Sequence, residues 1–511
     1  MLVFDKAFGG HSINLLAGHE AYVYNYHIVE ASARTFPLHT MRELDAASVI
    51  SWNGSDENNH KIESYLSRAE YSFRDRYYFS GSIRRDGTSR FSPDSRWGNF
   101  WSVGASWRIS EESFMAGFDW LDNMTLRISH GTQGNERIAG LYAWMGTFST
   151  EKDLGQGGFR LNSLSNEQLK WESAVQTNIG IEASLIRRVN VSFDYFIKSS
   201  KDLLFERELP LSSGLGSVSE NIGDVKNTGI ELSVNSTNMV RGDFRWQTML
   251  NLTHFKNEIT SLPRKEIAAG YHRYKVGTSV YDFYIREWAG VNPANGNGMW
   301  YKNIVELDEL GNPVMDADGD LIVIGKETTE ILSEASFYYQ ESSLPDFFGN
   351  ITNSFYYKDF DLSFNIVFSV GGQMYDNLWA RLNHAGARNR GETFWAGMVD
   401  HWTPENRDTD IPRMTDYGPI GNQFHATSTK FLLDNTYARF RNLTVGYTLP
   451  SDLTSRLGLS RVRVYFQADN FLTFSKHKKD ISVDPEQSMA GTVSNNLPVN
   501  KIYSGGLQIS F

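Results

Sequence analysis

Residues 175–198 have the sequence VQTNIGIEASLIRRVNVSFDYFIK, which contains two segments of alternating apolar and polar residues. In the first segment every second residue from Val175 to Leu185 is mainly apolar. The residues between them, such as Gln176 and Glu182, are polar or small. A period of two places the two sets on opposite faces of a β-strand. The pair Arg187–Arg188 separates the segments, so we predict two antiparallel strands, each with one apolar face. Soluble sandwiches and membrane barrels both contain such strands.

The same alternation recurs along the whole chain of 511 residues, whereas long amphipathic helices are hard to find. The alternation is clear in WSVGASWRI (101–109), and this segment is long enough to cross a membrane as a β-strand. Further examples are GIELSVN (229–235), FRWQTMLNLT (244–253), LSFNIVFSV (362–370), NLTVGYTL (442–449), VRVYFQAD (462–469) and YSGGLQISF (503–511). We count roughly thirteen or fourteen strands.

The connections between these segments alternate between short and long. Short connections are predicted at 74–76, 187–188, 236–243 and 358–359, and long polar ones at 85–99, 131–173, 199–227, 254–346, 371–436 and 471–502. Outer-membrane barrels show this asymmetry, with short periplasmic turns and long external loops. A soluble sandwich has no reason to alternate so regularly. We therefore predict an all-β fold, a transmembrane antiparallel β-barrel.

In such a barrel the apolar side chains of each strand contact lipid and the polar ones line the lumen. Lipid contact is expected for Ile179, Ile181, Phe193, Phe364 and Ile366, and a lumen position for Gln176, Glu182, Asp194 and Asn365. Three tryptophans fit the lipid face or the interfacial girdle of aromatic residues, namely Trp97, Trp101 and Trp107.

Composition excludes several classes of function. The chain has no cysteine, so it can form neither disulfides nor thiolate metal sites. Its formal net charge is −11 and its basic residues are scattered, which argues against nucleic-acid binding. No run of about eighteen apolar residues is present, which excludes a transmembrane helix. The first ten residues, MLVFDKAFGG, lack the basic and apolar regions of a secretory signal.

Six stretches resemble one family in the same order along the chain. They are SIRRDGTSRFSPDSRWGNFWSVGASWRISEESF (82–114), TLRISHGTQGNERI (125–138), NIGDVKNTGIELSVN (221–235), HWTPENRDTDIPR (401–413), YARFRNLTVGYTLP (437–450) and QADNFLTFSKHKKDISVDPE (467–486). These stretches are similar to the SusC/RagA-type TonB-linked outer-membrane transporters of Bacteroidetes-like bacteria. The similarity extends from about Gly9 onward.

The resemblance implies a barrel of roughly 22 strands closed around an N-terminal plug. It also implies a place in the outer membrane of a Gram-negative bacterium, in contact with lipid, and import of an oligosaccharide or peptide. The partners implied are a SusD-like surface lipoprotein, the TonB complex, which would act through the N-terminal region, and the barrel-assembly machinery, for which the terminal aromatic Phe511 is the recognition signal. No nucleic-acid partner and no cofactor are expected.

No signal peptide, TonB-contacting segment or plug is recognised in residues 1–511. We therefore expect these residues to be the C-terminal barrel part of a longer receptor, unable to transport by itself. A non-transporting adhesive or structural β-protein of the cell surface is the alternative, and the presence of an upstream plug would distinguish the two.

The acidic stretch DADGD allows two interpretations. Asp316, Asp318 and Asp320 have the spacing of a calcium loop, and Glu327 stands at its twelfth position. Leu321 occupies the sixth position, where such a loop requires glycine. Because Asp and Gly also form ordinary hairpin turns, we favour a turn and predict no metal site.

Aromatic residues in the long loops are the candidate ligand or partner contacts. Trp288, Trp300, Tyr301, Trp395 and Trp402 could stack on sugars or anchor a peptide, or they could pack within ordered loops. Residues 371–436, which contain two of these tryptophans, are predicted to be external and to help dock the lipoprotein. No G-x-S-x-G, H-E-x-x-H or Walker sequence occurs, so we predict no enzyme activity and no catalytic residue.

Overall fold

The computed structural model describes residues 1–137, 140–153, 156–317, 319–386, 393–415, 423–476, 483–486, 489–494 and 497–511. The chain divides into two compact units, which we describe separately. Unit 1 comprises Met1–Ala183, Asp194–Thr228 and Thr260–Pro263, and unit 2 comprises Ser184–Phe193, Gly229–Ile259 and Arg264–Phe511.

Strands dominate both units. Numbered along the chain, the strands of the first half are β1 Leu2–Phe8, β2 His11–Arg34, β3 Val49–Phe73, β4 Tyr77–Thr88, β5 Trp97–Arg108, β6 Leu121–Asn135, β7 Thr147–Asp153, β8 Gln156–Ser163, β9 Glu172–Leu185, β10 Val189–Lys201, β11 Leu204–Glu208, β12 Ser217–Asn221, β13 Asp224–Arg241 and β14 Phe244–Ser261. Those of the second half are β15 Glu266–Ala269, β16 His272–Lys275, β17 Asp282–Arg286, β18 Trp288–Val291, β19 Gly298–Val305, β20 Val323–Thr329, β21 Phe337–Ser342, β22 Phe347–Tyr357, β23 Phe360–Val370, β24 Gln373–Asp376, β25 Leu432–Asp434, β26 Tyr437–Thr448, β27 Arg461–Ser475, β28 Thr492–Val493 and β29 Ile502–Ser510.

Helices are few and short. Among the described residues the α-helices are α1 Asn377–Leu382 and α2 Ser451–Thr454. The 3₁₀ turns are Leu44–Ala46, Ile109–Glu111, Ser113–Met115, Leu211–Ser213, Leu332–Glu334, Ala396–Asp400, Thr429–Phe431 and Ser455–Leu457. Within the described part of the chain no helix has the length and apolarity needed to cross a membrane.

Each unit contains an antiparallel meander in which each strand is hydrogen-bonded to the next strand of the same sheet along the chain, and strands of smaller sheets lie in some of the connections. In unit 1 the order is β1–β2–β3–β4–β5–β6, and in unit 2 it is β14–β22–β23–β26–β27–β29. In the part of the chain that the structure describes, fifteen strands are of this meander type. The predicted all-β class is confirmed, and the estimate of thirteen or fourteen strands was slightly low.

The short connections are tight turns. At the turn between β3 and β4, Arg74 and Asp75 have φ of 51° and 53°, and between β1 and β2 Gly9 and Gly10 have φ of 54° and 85°. The loop between β1 and β2 has two residues and that between β3 and β4 has three, and left-handed conformations are common in hairpin loops of both lengths. The predicted connection 236–243 was too long, because β13 continues to Arg241. Its Ser, Thr and Asn residues suggested a loop but lie in a paired strand.

The predicted long connections are confirmed with adjusted ends, and several contain strands of their own. The first is shorter than predicted, because β4 reaches Thr88 and β5 begins at Trp97. The longest hairpin, β2–β3, has strands of 24 and 25 residues. A membrane-spanning strand needs about 9–11 residues, so roughly half of this hairpin extends beyond a bilayer. The alternation analysis did not identify β2.

Charged side chains on the polar faces pair across a glycine in both units. In unit 1 Arg127 of β6 lies 2.6 Å from Glu182 and 2.8 Å from Asp194. A Cβ on Gly180 would lie 2.2 Å from the Asp194 carboxylate, so only glycine leaves room for this pair. The predicted shared face of Glu182 and Asp194 is confirmed.

In unit 2 Arg463 of β27 donates to Asp361 of β23 at 2.5 and 3.0 Å, across β26. A Cβ on Gly446 of β26 would lie 2.4 Å from the guanidinium and 2.5 Å from the carboxylate. On the same face Asn365 donates to Thr352 at 2.7 Å. The lumen position predicted for Asn365 is consistent with this polar face.

The opposite faces carry apolar side chains that remain exposed. Ile179 and Phe193 are 44% and 38% exposed, and Trp101 on β5 is 43% exposed. Exposed apolar side chains at alternate positions along many strands are the arrangement that lipid covers in outer-membrane barrels. The other girdle candidates form polar contacts as well: Trp107 donates to Glu112 at 3.1 Å, and Trp97 lies against Arg85.

Candidate binding region in the long connections

The long connections of unit 2 fold around a hydrophobic core of their own. They contain three small sheets, β15–β16–β17–β21, β18–β19–β20 and β25–β24–β28. The core, which we call the loop core, consists of Phe283, Ile285, Trp300, Ala335, Tyr375, Ala380, Ala385, Met398, Phe424 and Phe431. Because these side chains come from several connections, the described parts of the connections form one folded region.

Trp300 lies inside the loop core and is 1% exposed. Its ring meets that of Trp288 edge to face, with centroids 5.5 Å apart. The packing interpretation therefore applies to Trp300, which presents no ring surface to a ligand in this structure. Trp288 is half-buried, and its Nε1 donates to Asp410 Oδ1 at 2.9 Å.

A buried lysine links this tryptophan to the segment 371–436. The side chain of Lys430 is 3% exposed, with Nζ 2.8 Å from Asp410 Oδ2 and 4.9 Å from the Trp288 ring centroid. A buried ammonium is tolerated when a carboxylate and an aromatic face replace its hydration. The two carboxylate oxygens of Asp410 thus contact Trp288 and Lys430, one each.

Trp402 packs on the turn between β18 and β19. Its Nε1 donates to the carbonyl of Pro293 at 3.2 Å, and its ring covers Gly296. Gly296 has φ of +76°, which favours glycine, and a Cβ at this position would lie 2.5 Å from the Trp402 ring. Both the backbone conformation and the close approach of the ring therefore favour glycine. Trp402 is therefore a packing residue of this turn.

Glu330 fixes the same turn from inside. Its carboxylate accepts hydrogen bonds from the side-chain amides of Asn297 at 2.7 Å, Asn292 at 2.5 Å and Asn295 at 3.1 Å. The hydrogen bond from Asn297 has the largest effect on the pKa of Glu330 and lowers it. Burial raises this pKa, and the hydrogen bonds from the other two amides lower it further. Sequence analysis did not identify this carboxylate, because its partners lie more than thirty residues earlier.

Trp395 and Tyr301 are half-buried at the edge of the region. Trp395 packs edge to face on Trp379 of α1, with centroids 6.1 Å apart. The amide of Trp379 is in turn held by the helix cap Asp376 at 2.8 Å. Lys326 Nζ lies 5.9 Å from the Tyr301 ring centroid. These two rings keep an accessible surface and stay candidates for ligand or partner contact.

A cavity of about 410 Å³ opens beside Trp379 and Trp395. Asn383, at the end of α1, contributes a buried polar wall and is 1% exposed. Asp400, Asp408 and Asp410 also line the cavity, together with Lys430. No local sequence pattern indicates this cavity, since its lining residues come mainly from α1 and from the segment around 400–411.

The stretch around Asp316 forms a hairpin turn. The amide of Asp320 donates to Asp316 Oδ1 at 2.8 Å, and Met315 pairs with Leu321. Glu327 lies 3.2 Å from Lys302, and Asp320 lies 2.6 Å from Lys265. These contacts favour the turn interpretation. Asp318 lies outside the described residues.

The last long connection is tied to β26 by a buried ion pair. Arg439 Nη2 lies 2.6 Å from Asp484 Oδ1, and both side chains are 3% exposed. Asp484 also accepts from the amides of Glu486 at 3.0 Å and Val499 at 2.8 Å. Burial raises the pKa of Asp484, but the hydrogen bond from Arg439, followed by those from the two amides, outweighs burial and holds the pKa below its ordinary value.

Phe511 follows β29 and is 92% exposed. Ser460 donates to its backbone carbonyl at 3.3 Å. Because its ring is not packed, a role for the side chain in the interior of this fold is unsupported, and its predicted role as an assembly signal stays a prediction.

The chain matches one family of known proteins. The model of the family described as TonB dependent receptor-like, beta-barrel, matches residues 8–471. TonB-dependent receptor P3 of Formosa agariphila is 30% identical over 507 residues, which cover 95% of this chain and 48% of that protein. TonB-dependent receptor SusC of Bacteroides thetaiotaomicron is 26% identical over 476 residues, covering 88% of this chain and 44% of that protein.

Among solved structures, that of the RagAB peptide transporter matches with a TM-score of 0.86 and 26% sequence identity. The match covers 100% of this chain and 54% of the matched chain. The chain thus spans about half the length of the relatives it matches.

Proposed function

The chain belongs to the TonB-dependent receptor β-barrel family, in its SusC/RagA branch, whose members reside in the outer membrane, and from this premise we propose that the protein imports an oligosaccharide or a peptide. In this proposal residues 1–511 supply barrel wall and external loops, and energy comes from the TonB complex. We also propose that the barrel-assembly machinery recognises Phe511. The relatives are receptors and transporters, and we assign no catalytic role.

The observation that carries the proposal is the folded loop region of unit 2. These connections form a hydrophobic core of their own, in which Trp300 is 1% exposed. Connections that only join the ends of strands need no such core. Long ordered loops on a rigid scaffold are where binding residues concentrate. In an outer-membrane barrel these loops face the exterior, from which a nutrient arrives.

Uptake in whole cells tests this function. We expect cells that carry the complete gene to deplete a peptide mixture or an oligosaccharide mixture from the medium. The loss of uptake on deleting either this gene or tonB is expected to be nearly complete, because diffusion through a plugged barrel is slow. A rate unchanged by both deletions contradicts the proposed function.

We propose further that segment 371–436 contacts a SusD-like surface lipoprotein. Within this segment Trp402 packs on the turn between β18 and β19. We therefore propose that exposed apolar side chains near the half-buried Trp395 form the contact. Val399 is 79% exposed, and Phe394 and Met414 are 40% and 38% exposed. Exposed apolar side chains at the rim of an ordered loop are suited to act as contact residues.

The substitution Val399→Asp is expected to reduce co-purification of the lipoprotein about tenfold, because it places a charge in an apolar contact. The matched control is Leu310→Asp, at an 87% exposed position in the turn between β19 and β20. Recovery of the lipoprotein, measured as its molar ratio to the receptor, should be unaffected by the control. Equal recovery with both variants contradicts a docking role for this surface.

A further inference from the structure

The small sheet β15–β16–β17–β21 carries an arginine for which the described residues supply no anionic partner. We propose that this residue, Arg286, binds a carboxylate of the imported ligand, from either an acidic peptide side chain or a uronic acid of an oligosaccharide. This inference rests on the proposed import function and specifies a chemical class of substrate for it. The argument uses the position of the guanidinium, the aromatic rings beside it and a comparison with Arg273 of the same sheet.

The two faces of this sheet differ in character. On β17 Phe283 and Ile285 are fully buried in the loop core. Tyr284 and Arg286 alternate with them along the strand, so their side chains lie on the opposite face. Cross-strand pairing places Phe337 of β21 directly opposite Arg286. Because this opposite face is only partly buried, a ligand can reach it.

The guanidinium of Arg286 has no hydrogen-bond acceptor and no carboxylate among the residues that the structure describes. Its Nε is buried, whereas Nη1 and Nη2 keep contact with solvent and are free to donate. Burial alone shifts the pKa of Arg286, and it lowers the pKa, which agrees with the lack of a neighbouring carboxylate. Since an arginine stays protonated, a partly desolvated positive charge is left uncompensated.

Aromatic rings support this guanidinium from one side. Its Cζ lies 4.3 Å from the centroid of the Phe337 ring. The Phe337 ring in turn stacks on Tyr284, with centroids 5.7 Å apart and an angle of 12° between the planes. A guanidinium over an aromatic face keeps the N–H groups at its edge available to an acceptor. Phe337 is 38% exposed, so the ligand that brings the carboxylate also meets an apolar ring surface.

Arg273 lies at the other end of the same pair of rings and has the partner that Arg286 lacks. Its Cζ lies 4.2 Å from the centroid of the Tyr284 ring, and its Nη1 lies 2.9 Å from Oε2 of Glu266. The two arginines thus have similar aromatic contacts, but the protein supplies a carboxylate only to Arg273. A ligand carboxylate at Arg286 completes the same arrangement, with charge-assisted hydrogen bonds from the guanidinium.

Calorimetry on the complete purified protein in detergent tests the proposal. Each of two charged probes has a neutral counterpart: acetyl-Ala-Asp-Ala-amide is compared with acetyl-Ala-Asn-Ala-amide, and trigalacturonate with its methyl ester. In at least one pair we expect the charged probe to bind about tenfold more tightly than its counterpart. The pair that shows this preference identifies the source of the carboxylate as a peptide or an oligosaccharide.

The variant Arg286→Gln should abolish the preference, because it removes both the charge and the paired donors. The matched control is Arg245→Gln on β14. The Cζ of Arg245 also lies 4.3 Å from an aromatic ring centroid, that of Tyr356, but its side chain is exposed. Its replacement should leave the affinities for all four probes unchanged, and circular dichroism verifies that both variants are folded.

A second measurement uses the native protein and does not depend on the folding of a variant. Phenylglyoxal modifies accessible arginines, and mass spectrometry locates the modified positions. A saturating concentration of the preferred charged probe should slow the modification of Arg286 severalfold. The modification of Arg245, which lies outside the proposed site, should proceed at the same rate with and without the probe.

Four results would overturn the proposal: equal binding within both pairs, no binding of any probe, an undiminished preference in Arg286→Gln, or no protection of Arg286 from phenylglyoxal. The binding assay needs neither TonB nor the lipoprotein. Binding without uptake by cells would therefore refute the import function and leave the site intact. Uptake without a preference for the charged probes would refute the site alone.

Discussion

Replacement of Trp300 by alanine is expected to lower the free energy of unfolding of the loop region by about 3–5 kcal/mol. The side chain is 1% exposed at the centre of the loop core, and its ring packs on Trp288. Removal of an indole from such a site loses its transfer free energy and leaves a cavity that the neighbouring strands cannot fill. The measurement is proteolysis of outer-membrane preparations across a urea series, with the cut sites mapped to residues 264–346 and 371–436.

Trp52→Ala is the matched control, because Trp52 lies on β3 and is 51% exposed. Its removal takes little apolar surface out of a packed environment, so a change below about 1 kcal/mol is expected. If both variants resist proteolysis equally, the loop region derives its stability from another source than the loop core.

Many long strands of this fold were predictable because they carry a signal of their own, although β2 was not identified. Alternation between Ile179, Glu182 and their neighbours specifies two faces without any knowledge of distant residues. The prediction failed at 236–241, where turn-forming residue types suggested a loop. There Asn238 donates to Thr248 at 2.6 Å across the sheet, and this pairing satisfies a polar side chain that sequence alone assigns to a turn.

The candidate site was less predictable because its contacts join remote parts of the chain. The backbone amide of Trp288 donates to Oγ1 of Thr429, which is 141 residues away. No local pattern therefore distinguishes the packed ring of Trp288 from an exposed one. For the same reason, sequence analysis did not predict that Asn383 and Asp408 line one cavity. The aromatic residues of the long connections indicated the binding region from the sequence. Only the burial of each side chain in the structure distinguished packing residues such as Trp300 from exposed ones.

Arg439→Met is expected to destabilise the fold around the last long connection by about 3–5 kcal/mol at neutral pH. The guanidinium is 3% exposed and lies 2.6 Å from Asp484 and 2.8 Å from Glu486. Its removal leaves the buried Asp484 carboxylate without a cation, and an uncompensated buried charge costs far more than an exposed one. The midpoint of urea unfolding, followed by the heat-modifiable mobility of the barrel in gels, measures the loss.

The pH dependence identifies the cause of this loss. In the native protein the pKa of Asp484 is lowered, so its contribution to stability is present above the pKa of the unfolded chain, about 3.9, and is lost as pH falls through the folded value. Without the guanidinium, burial favours the protonated acid. The difference in stability between Arg439→Met and the native protein should therefore shrink as the pH is lowered toward 4.

Two further variants separate charge from packing. Glu151→Ala removes an ion pair to Arg160 whose side chains are 54% and 60% exposed, and it should cost at most about 1 kcal/mol. The double variant Arg439→Met with Asp484→Leu replaces both buried charges by apolar groups and should recover most of the lost stability, since the hydrophobic pair leaves no unpaired charge. A double variant no more stable than Arg439→Met, together with a loss independent of pH, would show that the arginine acts through the packing of its stem and not through the ion pair.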